Sequence, residues 1–104
     1  MSYNKLVRDR IPEIIESKGE IPIIRILSDE EYKMELERKL REELEEALAA
    51  SEIDRIEELA DMLEVMMALA RLENKGLEDI ISECDKKREK RGAFVKKIYL
   101  CGVK

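Results

Sequence analysis

A chain of 104 residues has the length of one domain, and it is 43% charged against 44% hydrophobic, with no Trp and a single Phe. The complete lack of His excludes Ser-His and Cys-His catalysis and His-ligated zinc, so acid, base or metal chemistry falls to carboxylates, Lys, Tyr or water. The net charge of −5 is unevenly divided: Ser28 to Glu64 holds 15 acidic and 5 basic residues, and Lys75 to Lys104 holds 5 acidic and 9 basic, which is not the footprint of a general nucleic-acid binder.

No run approaches the roughly 18 apolar residues that span a bilayer, and no apolar segment precedes a cleavage site, so a cytoplasmic protein without membrane contact is expected. Cys84 and Cys101 lack metal or redox spacing and read as reduced thiols. In chain order, Tyr3 to Arg10 leads into a short helix bracketed by Pro12 and Gly19. Ile23 to Leu27 is short and β-branched and predicts a strand, with Phe94 to Leu100 as its mate. Ser28 and Glu31 have capping-box spacing and open a long helix, whose Leu36, Leu40, Leu44, Ala47 and Leu48 form one apolar stripe reaching Ala49 or Ala50. Ser51 then reads as the N-cap of a second long helix, from Glu52 to about Asn74, with Gly76 as its stop. So short a connection implies an antiparallel hairpin. A further helix, from about Leu77 to Lys90, turns Ile80, Ile81 and Cys84 inward and ends in a basic run to Arg91 that complements its dipole. The expected fold class is mainly α: an antiparallel helical bundle built on a long hairpin, with a small terminal β pair, residues 1–104 forming one domain.

The difficult residues are carboxylates. On a wheel of about 100° per residue, Glu58 and Asp61 fall in the apolar arc of Val65, Ala68, Leu69 and Leu72, where an unpaired charge costs several kcal/mol. On the preceding helix, Glu43 borders the apolar stripe and Glu46 lies further round. Reflection about the turn puts Glu43 level with Glu58, with Glu46 and Asp61 to either side, so four carboxylates converge on one groove. Two explanations stand. Lys5, Arg8 or Arg91 could pair with the acids, or a divalent cation could sit among them. Oxygen ligands without His or Cys select Mg²⁺, Mn²⁺ or Ca²⁺, and Mg²⁺ is commonly held by a few carboxylates together with substrate phosphates. On the second explanation Lys5, Arg8, Lys87 and Arg91 gain a purpose as phosphate grips, and Tyr3, Tyr32, Phe94 and Tyr99 are the aromatics available to stack on a base. Met62, Met66 and Met67 read as core filler.

The segment Lys39-Leu40-x-Glu42-Glu43-x-x-Glu46, followed by Glu58-Leu59-Ala60-Asp61, resembles the EExxE…ExxD signature of the all-α nucleoside triphosphate pyrophosphohydrolases, the superfamily of MazG, dimeric dUTPases and phosphoribosyl-ATP pyrophosphohydrolase. The opening Asn4-Lys5-Leu6-Val7-Arg8-Asp9 through Ile11-Pro12-Glu13, and the late Lys90-Arg91-Gly92-x-Phe94, are similar to a short phosphoribosyl-ATP pyrophosphohydrolase-like branch. The resemblance implies cleavage between the α and β phosphates of a nucleotide, with Mg²⁺ carried by Glu43, Glu46, Glu58 and Asp61. It implies a catalytic role for Glu43 and for Glu42, which matches the motif's remaining glutamate and would orient a ligand or assist water deprotonation. It also implies a homodimer or homotetramer. Cleansing of non-standard nucleotides is the expected role; the phosphoribosyl-ATP step of histidine biosynthesis and a non-catalytic nucleotide-binding or assembly module are the alternatives.

Overall fold

The computed structural model describes residues 4–104; Tyr3, one of the four candidate stacking aromatics, lies outside them. The described residues form four helices: α1 (Ile11–Ser17), α2 (Asp29–Ala49), α3 (Arg55–Leu72) and α4 (Leu77–Arg91). Pro12 sits in the first turn of α1, where its missing N–H costs nothing, and Gly19, at φ +83°, ends it in the left-handed region. The predicted capping box starts α2: Ser28 Oγ accepts from the Glu31 N–H at 3.2 Å, and the Ser28 N–H donates back to Glu31 Oε1 at 3.3 Å.

The hairpin turn is longer than expected. Ser51 does not cap α3; its carbonyl accepts from the N–H groups of Asp54 and Arg55, closing a turn that delays the helix to Arg55. Its far end is set by Asn74 at φ +58°, with the Lys75 N–H returning to the Ala70 carbonyl at 3.0 Å, so α3 stops at Leu72. Gly76 instead opens α4, its N–H donating to Asp79 Oδ2 at 2.8 Å.

Helices α2 and α3 pack along each other and carry the core, in which Leu36, Val65 and Ala68 are buried and Leu6, Tyr32, Leu40 and Leu69 close around them. Helix α4 touches only α3, and slightly; Ile80 is half-buried, but Ile81 and Cys84 are exposed, contrary to the inward placement expected for them. The terminal β pair is not formed: among the described residues there is no strand. Ile23 and Phe94 are 99% and 98% exposed, so neither segment has a neighbour to satisfy its backbone, and Lys97 at φ +59° breaks the extended run of the second.

Candidate metal centre

The buried seam of α2 runs through Leu36, Leu40, Glu43 and Ala47, spaced four, three and four. Glu43 therefore occupies a core register, only 6% exposed, while Leu44 and Leu48 of the expected stripe turn outward. On α3 a spacing of three, four and three runs from Glu58 and Asp61 into Val65 and Ala68. The hairpin thus drives three acids into one groove. One carboxylate oxygen from each of Glu43, Glu58 and Asp61 lies within 4.8 Å of the other two.

Their surroundings are under-supplied with donors. Lys39, one turn before Glu43, brings Nζ to 3.6 Å from Glu43 Oε1, but Glu43 Oε2 and Glu58 Oε2 are buried with no hydrogen-bond partner among the described residues. Burial pushes the Glu43 carboxyl up from its ordinary value, and the nearby charge of Glu46 adds to the effect while Lys39 opposes it. Glu58 is raised by the same causes, desolvation first and then Glu46, Asp61 and Glu43. Glu46 itself is exposed and stands at the rim, close enough to affect both.

Asp61 is held differently. The Arg8 guanidinium donates to Asp61 Oδ1 at 2.7 Å and lies 3.7 Å from Glu64. Arg8 is thereby committed to the α3 side of the groove, as one of the ion pairs weighed from the sequence. Lys5, on the same N-terminal segment, faces the other way, toward α2: it lines a cavity of about 290 Å³ with Asn4, Leu6, Glu35, Arg38, Lys39 and Glu42. Leu6, packed on the core between them, makes residues 4–8 a strap across the hairpin. Lys87 and Arg91 are exposed on α4, which has no contact with α2. Tyr32 is packed against the core, and Phe94 and Tyr99 are exposed. Sequence reasoning missed Lys39 as a site residue, although its i,i+4 spacing to Glu43 is a legible signal.

Fold and site together define a mainly helical protein with an acidic cluster built across a helix hairpin. Over 50 residues it is 54% identical to an uncharacterized protein of Mycolicibacterium smegmatis, a match that takes in 48% of this chain and 51% of that protein. The chain thus spans about half the length of the curated relative it matches. No family model matches the chain, and no solved structure matches it. Among the described residues, no helix is long and apolar enough to cross a membrane.

Proposed function

We propose that the chain is a divalent-cation-dependent nucleotide pyrophosphohydrolase, acting in the clearance of non-standard nucleotides. The observation that carries this is the pair of orphaned oxygens: Glu43 and Glu58 each bring a buried carboxylate oxygen, without a donor among the described residues, into one groove with Asp61. Buried acids without donors are costly unless a cation compensates them. An all-oxygen donor set suits Mg²⁺ or Mn²⁺, held by Glu43, Glu58 and Asp61 with Glu46 at the rim. Such an ion supplies charge neutralisation to phosphates bound beside it. The chain's own residues do the rest. Lys39 fixes Glu43 in place, Arg8 occupies Asp61 until a cation displaces it, and Glu42, half-exposed at the cavity edge, takes a proton from the attacking water. In the overall reaction the water oxygen bonds to the α-phosphorus as the α–β phosphoanhydride bond breaks, the water's proton passes to Glu42 and on to solvent, and a monophosphate and pyrophosphate leave. The decisive experiment is a Mg²⁺-dependent screen for pyrophosphate release across canonical, oxidised and deaminated nucleotides, with phosphoribosyl-ATP included. Release that vanishes in Glu58→Gln carries the reading, and hydrolysis of none of the panel ends it.

The acting species we infer is a homo-oligomer, a dimer or tetramer. The chain exposes 9880 Å², where a compact monomer of its mass exposes roughly 6,100 Å². The radius of gyration is 18.0 Å against roughly 13 Å for a compact domain of this length. An outward apolar face, Leu44, Leu48, Ile53, Ile56, Leu59 and Leu63, accounts for part of that excess and suits a second copy of the hairpin.

The Arg8–Asp61 contact favours a second reading, in which the acids serve only the fold. On that reading divalent cations leave the melting temperature unchanged.

A further inference from the structure

The cavity under the N-terminal strap is a locally basic spot in the most acidic part of the chain. Asn4, Lys5 and Leu6 form one wall; Glu35, Arg38, Lys39 and Glu42 form the other. Asn4 adopts φ +57°, a left-handed conformation uncommon for a residue with a side chain, as the strap starts toward Leu6 on the core. Three cations face two carboxylates, and both carboxylates are loosely engaged: Glu35 lies 3.6 Å from Arg38 and Glu42 3.9 Å from Lys39. Long, partly exposed pairs of this kind are worth little, so the Arg38 guanidinium, itself exposed, can turn from Glu35 to a stronger acceptor. Lys5 has no ion-pair partner among the described residues. Glu42 and Lys39 adjoin Glu43, so the cavity opens beside the acidic groove.

From this geometry we infer that the cavity is a polyphosphate pocket in which Arg38 and Lys5 hold the pyrophosphate portion of the nucleotide, with Lys39 between it and Glu43. The inference rests on the pyrophosphohydrolase reading and deepens it, since it names the residues that take the leaving group. A guanidinium and two ammonium groups match the oxygens of a diphosphate, and Arg38 is able to bind it bidentately. Among the described residues the lining is charged or polar apart from Leu6, as a phosphate site requires. Lys87 and Arg91, the other basic candidates, belong to a helix that does not contact α2.

The test is calorimetric titration of the full chain with inorganic pyrophosphate in Mg²⁺, set beside steady-state hydrolysis of the best nucleotide. Arg38→Gln and Lys5→Gln are each expected to weaken pyrophosphate binding about tenfold or more and to raise KM more than they lower kcat. Arg38→Lys restores part of the affinity, and Arg71→Gln, on the exposed side of α3, changes neither quantity. Arg38 and Lys5 are exposed, and unchanged circular dichroism verifies folding. The pocket is refuted if wild type does not bind pyrophosphate, if both variants bind it as wild type does, or if only Lys87→Gln or Arg91→Gln weakens it. Pyrophosphate bound through Arg38 without hydrolysis of any nucleotide keeps the pocket and sinks the enzyme reading. Hydrolysis whose inhibition by pyrophosphate is insensitive to Arg38 and Lys5 does the reverse.

Discussion

Arg8 Nη2 stands 2.7 Å from Asp61 Oδ1, so a strap residue far away in sequence holds one of the three carboxylates that line the hairpin groove. Both side chains are partly exposed, and a pair of that kind contributes no more than about 1 kcal/mol. Arg8→Gln should therefore lower the melting temperature of the cation-free chain by only a few °C, on the order expected for a small domain. It should also free Asp61 and raise Mg²⁺ affinity severalfold. Melts with and without Mg²⁺ measure both effects; a variant that melts below wild type while neither responds to Mg²⁺ would favour the purely structural role of the pair.

Glu43 has the opposite character, a buried carboxylate with one oxygen undonated. Glu43→Gln removes that charge and is expected to stabilise the cation-free fold by about 1 kcal/mol, with loss of the Lys39 contact as the opposing effect. It should also abolish stabilisation by Mg²⁺. The pH dependence has a defined sign. Because Glu43 and Glu58 are raised, the folded chain binds more protons than the unfolded chain just above the ordinary value of 4.5. These two groups therefore make the cation-free protein less stable as pH rises through that range. Saturating Mg²⁺ should flatten the dependence, as thermal melts across pH can register.

Glu31 titrates the other way. The Arg25 side chain, then the Ser28 N–H, hold its carboxyl down at about 2 from an ordinary 4.5. Its contribution is complete above about pH 4.5 and is lost as pH falls toward 2. Glu31→Gln should melt a few °C below wild type at neutral pH, because the capping box and the ion pair are both weakened. The difference should close as pH approaches 2. A gap that stays constant from pH 7 to pH 2 would contradict the assignment.

Ile56 is 74% exposed on the single chain. If nothing covers it, Ile56→Glu changes stability by no more than about 0.5 kcal/mol, as surface substitutions do. In the proposed homo-oligomer it places a charge in the contact and should raise the dissociation constant about a hundredfold. Light scattering over a dilution series distinguishes the outcomes, and a wild type that is monomeric throughout would exclude the assembly.

Much of this protein was legible in its residues because the signals were local. Ser28 with Glu31, Pro12 with Gly19, and the shortness of the connection near Ala50 specify helix starts, stops and the hairpin through contacts only a few residues long. The same helical periodicity singled out Glu58 and Asp61 and brought Glu43 opposite them, and the tertiary structure gathers those three. Where two local signals competed, boundaries moved: Ser51 made a turn instead of a cap, and Asn74 took the left-handed position assigned to Gly76.

What only the tertiary structure decided depends on partners distant in the chain. β-branched composition at Ile23 to Leu27 and Phe94 to Leu100 could not reveal that neither segment meets a neighbour, because strand pairing is a long-range contact and propensity is not. Nor could charge counting say which cation meets which acid. Packing of Leu6 on the core lays the strap across the hairpin, and that single contact accompanies Arg8 on Asp61 and Lys5 beside Arg38 and Lys39. The carboxylates follow from helical period; their counter-charges follow from where the strap crosses.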